Sequence, residues 1–171
     1  MKSVKFKSVL FKPDDGSGWH FIKVAASYGS KFEKKDGSRR VVCTINGIEP
    51  FQCALLHPRA ISSSSFNKAK RDRLKIAAGD EVSVELTADY SKYGLPMPDE
   101  LRAVLNQDPD GDRLFHSLTP GKQRNILHFI GKIKNVDKRI HTALVFIEHM
   151  KNNDGKFIYE QLQEELKRPL Y

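Results

Sequence analysis

The apolar residues of this chain change their period once, at Pro96-Met97-Pro98. Ahead of that point they alternate, as Val82, Val84 and Leu86 do against Ser83, Glu85 and Thr87. Alternation places one face of a strand in a core and leaves the other to solvent. Behind it, apolar residues recur three and four apart: Leu101, Val104 and Leu105, then Ile126, Leu127, Ile130 and Ile133. That spacing draws a stripe along a helix. The two periods predict an α+β protein, with a β domain over residues 1–96 and a helical region over residues 97–171.

Turn signals cut the β half into short strands. Residues 4–11 form the first, with Val4, Phe6 and Leu10 on one face and Lys5 and Lys7 on the other. Pro13-Asp14-Asp15-Gly16-Ser17-Gly18 is a dense turn, and residues 19–24 are the second strand. Trp19 reads as part of the core, with an aromatic platform for a base or sugar as the alternative. Residues 27–40 are a polar connection that Phe32 anchors. Its Lys34, Lys35, Arg39 and Arg40 are either anion ligands or solvated surface. Residues 40–45 and 48–56 form a hairpin through Asn46-Gly47, which supplies the positive φ angles of a type I′ turn. Ile48 shares the parity of Val41, Cys43 and Ile45, whereas Phe51, Cys53 and Leu55 do not. With Pro50 unable to donate a ladder bond, this predicts a bulge near Glu49-Pro50. A two-residue loop sets Cys43 opposite Pro50 and away from Cys53, so both cysteines are expected as buried free thiols. Residues 61–66 are a weak strand, residues 67–76 a short basic helix carrying Lys68, Lys70, Arg71, Arg73 and Lys75, and residues 78–90 the closing strand.

Past Pro96 the signals are helical. Pro98-Asp99-Glu100 suits a helix start, with proline in the first turn and acids toward the positive end of the dipole. Residues 106–112 read as a loop. Its DPDGD run lacks the further oxygen ligands and the twelfth-position glutamate of a calcium loop. Thr119-Pro120 opens the next helix. Residues 136–151 carry Val136, Ile140, Ala143, Leu144 and Ile147 at helical spacing, and residues 157–167 carry Ile158, Leu162 and Leu166.

Charge narrows the function classes. The net charge is +8, of which residues 1–96 hold +7. In the remainder the signs separate, with −4 over residues 97–112 and +5 over residues 119–141. Such a balance favours anionic partners. Lys122, Arg124, Lys132, Lys134 and Arg139 are the candidate contacts for an anion or a nucleic acid, with Lys68–Lys75 as a possible extension. The six histidines show no HxH or HExxH spacing, and His141 and His149, eight apart, stand about 12 Å apart along a helix. No GxSxG elbow and no GxGxxG or phosphate loop is present. No catalytic, cofactor or metal residue is therefore assigned, and the expectation is a protein that is not an enzyme. It would bind a small ligand or a protein partner, with nucleic acid or an enzyme of unrecognised type as the alternatives. No apolar run is long enough to span a membrane and the first residues lack a signal-peptide core, so a cytoplasmic setting is expected.

Several segments in order resemble one family. They are Val42-Cys43-Thr44-Ile45-Asn46-Gly47, then Ala78-Gly79-Asp80-Glu81-Val82, then Pro98-Asp99-Glu100-Leu101, followed by Phe115-His116-Ser117-Leu118-Thr119-Pro120 and the stretch 130–139. Together they resemble the YdeI/OmpD-associated, or bacteriocin-protection, family across most of residues 1–150. The resemblance implies a small closed antiparallel Greek-key β-barrel of about six strands, followed by a helical C-terminal subdomain. It implies a role in stress or bacteriocin tolerance and no known reaction. Lys134 and Arg139 match the family's tail, but Ile133 replaces its alanine, Lys138 its threonine, and Thr142 its second arginine.

Overall fold

The computed structural model describes residues 3–34, 37–56, 60–61 and 66–169. It divides into two compact units, Met1–Gly94 and Leu95–Tyr171. The division thus falls after Gly94, where the sequence placed it after Pro96.

The first unit contains β1 (Ser3–Phe11), β2 (Phe21–Lys23), α1 (Ala26–Gly29), β3 (Arg40–Ile45), β4 (Ile48–Leu56), β5 (Ala60–Ile61), α2 (Lys68–Leu74) and β6 (Glu81–Ala88). The strands are antiparallel in the order β1-β2-β5-β4-β3-β6, with β1 also paired to β6. β6 returns beside β3 after the β3-β4-β5 meander, which is the Greek-key order. Ladder lengths are very unequal. β1 and β6 share seven residue pairs and β3 and β6 share five. β1–β2, β2–β5 and β4–β5 share two each. The resulting sheet is a curved half-barrel of long ladders around β6, bridged thinly on the side of β2 and β5. It is not the evenly closed barrel that the resemblance implied. Of the weak strand expected over residues 61–66, Ile61 lies in β5 and residues 62–65 fall outside the described residues.

Inward positions of the long strands fill the core: Leu10, Ile22, Val41, Cys43, Ile45, Val84 and Leu86 are fully buried. The hairpin turns at Asn46 and Gly47, with φ of 51° and 71°. Ile45 faces Ile48, but Cys43 faces Phe51. One extra residue on β4 therefore lies between them, where Glu49-Pro50 was expected to bulge. The bulge corrects the cysteine register, since Cys43 does not face Pro50. It also turns Phe51, Cys53 and Leu55 toward the core, and both thiols are free and buried. The neighbouring Cys53 thiol, together with burial, pushes the Cys43 thiol far above its ordinary range.

The second unit holds α3 (Asp99–Gln107), α4 (Pro109–Ser117), α5 (Pro120–Gly131), α6 (Val136–Asn152) and α7 (Tyr159–Glu165). α6 packs against each of the other four. Its buried arc is consequently wider than one stripe: Val145, Phe146, His149 and Met150 join Ala143 and Ile147. Val136 and Leu144, assigned to the stripe from spacing, are exposed.

The expected loop over residues 106–112 is instead a helix junction. Asp108 accepts a hydrogen bond from the Gly111 N–H at 2.9 Å, Pro109 fills the first helical position, and Asp110 and Asp112 lie in the first turn. All three features favour initiation. Asp108 also accepts from Lys151 on α6 at 2.8 Å. That bond and the Gly111 N–H hold its carboxyl below the usual aspartate range. Gly111 is needed for a second reason. A Cβ there would lie well inside contact distance of the buried Ile147 methyl, so α4 can approach α6 only with glycine at this position.

Two outcomes follow for stability. Helix propensity alone would make Gly111→Ala stabilising by about 1 kcal/mol. Overpacking against Ile147 should reverse the sign, to a loss of about 1–3 kcal/mol in urea denaturation. For Asp108, a depressed folded-state pKa means stability that is present above the aspartate range and lost as pH falls through it. Asp108→Asn preserves the cap. It should therefore be less stable than wild type at neutral pH and converge with it once the pH has fallen through the aspartate range, as read from melting temperature against pH.

Candidate functional site

The five basic residues singled out from sequence do not form one cluster. Lys122 lies in the first turn of α5 and Lys132 caps its C-terminus, roughly 15 Å away along the axis. Lys122 lines an apolar groove of ≈ 320 Å³ with Phe129, Phe146, Phe157 and Tyr159. Lys132 and Arg139 line a different cleft of ≈ 450 Å³ with Pro98, Glu100, Leu127 and His128. Lys134 lies in the connection between α5 and α6, and Arg124 lies on α5.

Inside that cleft Arg139 is neutralised by Glu100. Arg139 donates to the Glu100 carboxylate at 2.6 Å and to the Ile133 carbonyl at 3.0 Å. The Arg139 bond keeps Glu100 ionised, below the usual glutamate range. Asp99 and Lys132 line the same cleft. Burial, with the Lys132 charge beside it, pushes His128 below the usual histidine range, so it carries no charge at neutral pH. What the cleft does visibly is fasten the start of α6 to the start of α3.

Other basic candidates are also engaged in holding the fold. Arg39 pairs with Glu33 at 2.8 Å, Lys34 donates to the Asp89 carbonyl at 3.0 Å, and Arg40 donates to the Gly94 carbonyl. On α2, Lys68 pairs with Asp72, Arg73 with Glu49, and Lys70 lies 4.0 Å over the Phe51 ring. Lys35 lies outside the described residues.

Buried titratable groups are likewise committed. His149 is fully buried. The Ile158 N–H donates to its Nε2 at 3.0 Å, which leaves Nδ1 as the protonated nitrogen. Nδ1–H then donates to Glu165 at 2.7 Å. Burial opposes the Glu165 charge, but the Gln161 and His149 hydrogen bonds and the Arg168 charge outweigh it. With both ring nitrogens occupied, His149 ties α7 to α6 and has no lone pair left for a metal or a substrate proton. Asp89 is similar. Burial would raise its pKa, yet bonds from Ser91 and Gln52 and the Arg40 charge hold it low. Among the described residues no group of three or more His, Cys, Asp or Glu is placed to hold a metal.

The surface that remains unused lies on the β unit, and the sequence did not single it out. The turn over residues 13–18 sets Leu10 opposite Ile22 and Phe11 opposite Phe21. Leu10 and Ile22 point into the core, so Phe11 and Phe21 point outward, as does Lys23. After these two pairs the ladder ends. An opening of ≈ 940 Å³ follows, lined by Phe6, Phe11, Phe21 and Tyr28 together with Lys7 and Lys23. Trp19 is 58% exposed, not part of the core as expected, and meets Phe21 edge to face at 6.1 Å. Lys23 lies 4.7 Å over Phe11, and Lys31 lies 5.5 Å over Tyr28. Phe6 and Tyr28 are 5.3 Å apart. Lys7 pairs with Glu81 at 2.9 Å; Lys12, Lys23 and Lys31 have no carboxylate partner among the described residues. The signal was present in the sequence: a hairpin centred on Gly16 pairs Phe11 with Phe21.

If the Arg139–Glu100 pair is structural, Arg139→Met should destabilise the helical unit by about 1.5–3 kcal/mol, the range for hydrogen bonds to charged groups. Chemical denaturation followed by far-ultraviolet dichroism would show it, and an unchanged midpoint would remove the fastening role.

Comparison with known families returned two matches. Residues 6–86 match a domain of unknown function, DUF1905. Residues 95–153 match the family described as bacteriocin-protection, YdeI or OmpD-associated. A search of curated proteins returned no match. No helix among the described residues is long and apolar enough to cross a membrane. Behind a DUF1905 domain, the chain thus carries in residues 95–153 the domain of the YdeI/OmpD-associated family that its sequence resembles.

Proposed function

We propose that the protein is a non-enzymatic binding protein of the cytoplasm, acting in the stress or bacteriocin tolerance that its family resemblance implies, and that its binding face is the aromatic opening beside β1 and β2. One observation carries this. Phe11 and Trp19 are exposed beside Lys23, a cation without a carboxylate partner among the described residues. Large exposed aromatics next to an unpaired cation suit a ligand with a flat face and a negative charge. The buried His149, Glu165 and Asp89 support a non-enzymatic reading, since each is engaged in holding the fold.

A second reading keeps the helical surface as a nucleic-acid contact. It is favoured by Lys122, Arg124, Lys132 and Lys134, none of which has a carboxylate partner among the described residues. Arg139 is withdrawn from that surface by Glu100. The spacing of Lys122 and Lys132 limits it to weak, salt-sensitive contact.

The test is a panel of planar aromatic acids and mononucleotides, read by the emission of Trp19, the only tryptophan. Binding at the opening should change that emission and raise the melting temperature, and the double variant Phe11→Ala/Lys23→Gln should lose both responses. A panel to which neither readout responds would sink the binding face.

A further inference from the structure

From the aromatic opening we infer that the ligand is a single-stranded nucleic acid, bound with its bases on Phe11, Phe21 and Trp19 and its phosphates at Lys23 and Lys31. The inference rests on the binding face proposed above and names its ligand class. Three features of the surface point to it.

The first is repetition of flat apolar surfaces. Phe11 and Phe21 are cross-strand neighbours, which sets their rings side by side on the outward face. Trp19 adjoins Phe21. Three adjacent aromatics offer a path for successive bases, where a single small ligand needs one. Stacking accepts any base, because each has a π face.

The second is the placement of cations. Lys23 alternates with buried Ile22 and so shares the outward face with Phe21. Its ammonium and that of Lys31 lie over rings that line the opening, Phe11 and Tyr28. Neither has a carboxylate partner among the described residues, so each keeps its full charge for a phosphate. Asp14 and Asp15 occupy the turn before Trp19 and repel phosphate there. The strand is thereby directed toward the Lys23 and Lys31 side.

The third is the field of the unit. The β unit holds +7 of the chain's net charge of +8. A polyanion is drawn to such a unit before any contact forms. A duplex is excluded by the same surface, since its bases are already stacked on one another.

The experiment uses the full chain with fluorescein-labelled 12-mers of thymidylate and uridylate, a 12-base-pair duplex, and thymidine monophosphate. Anisotropy and Trp19 emission are recorded at 50 and 200 mM salt. Both single strands should bind and change Trp19 emission; the deoxy and ribo arms show whether the 2′-hydroxyl contributes. The salt change should weaken binding about sevenfold, for the two phosphates at Lys23 and Lys31 at single-strand slope. Phe11→Ala should weaken it about five- to a hundredfold by loss of one stacking platform. Lys23→Gln should weaken it and lower the salt slope by about 0.7. Both positions are exposed, and an unchanged melting temperature certifies their fold.

Duplex binding as tight as the single strands would overturn the inference. So would single-strand binding that survives both substitutions but is lost on neutralising Lys122, Arg124, Lys132 and Lys134, which places it on the helical surface. Oligomers that fail to bind while thymidine monophosphate or an aromatic acid still shifts Trp19 emission would remove the nucleic acid and leave the binding face. Silence from every ligand would remove both.

Discussion

Ladder length governs the β unit. β6 is gripped on both sides, by seven pairs to β1 and five to β3. β1, held so firmly along one edge, is held along the other by only two pairs to β2. A sheet with that imbalance is rigid about β6 and slack opposite. Backbone groups along the slack side must find partners other than a neighbouring strand. One does: the Ser8 hydroxyl donates to the Lys23 carbonyl at 2.9 Å. Side chains, not ladder bonds, close the remainder, and the aromatic ones are left partly uncovered. The opening is thus the place where the sheet has too few residues to continue.

The same economy of partners separates structural charge from available charge. Lysine and arginine are abundant, but abundance says little about availability. Arg139, Arg39, Arg40 and Lys34 each hold a carbonyl or carboxylate, and most of them fasten segments far apart in sequence. A guanidinium suits that use because its planar fork satisfies two acceptors at once, as Arg139 does with Glu100 and Ile133. The lysines without a carboxylate partner are those on outward strand positions or helix surfaces. There they cost little to solvate and remain available to a ligand.

Sequence reading succeeded where a local rule sufficed. Asn46-Gly47 demanded a tight hairpin, Pro50 with a parity change demanded a bulge, and Thr119-Pro120 marked a helix start that the structure contains. It failed where the outcome depended on neighbours distant in sequence. Nothing within residues 106–112 reveals that Asp108 caps α4 while holding Lys151 forty-three residues away. Nor does the spacing of α6 reveal that it is surrounded by four helices, which is why Phe146 and Met150 are buried and Val136 is not. The candidate site was less legible still. Charge runs drew attention to Lys122 and Arg139, which lie in different hollows. The aromatic face is assembled from β1, β2 and α1, and no single strand carries enough of it to be noticed.

The bulge on β4 has a chemical consequence beyond register. By turning Cys53 inward beside Cys43, it seals both sulfurs into the core next to the thinly paired β4–β5 edge. Neither thiol can meet an alkylating reagent while the sheet is shut, and the raised Cys43 pKa leaves it almost without thiolate. Each alkylation event must therefore wait for that edge to part. The cysteines are a built-in clock for the breathing of the half-barrel, and any ligand that clamps the slack side would slow its ticking.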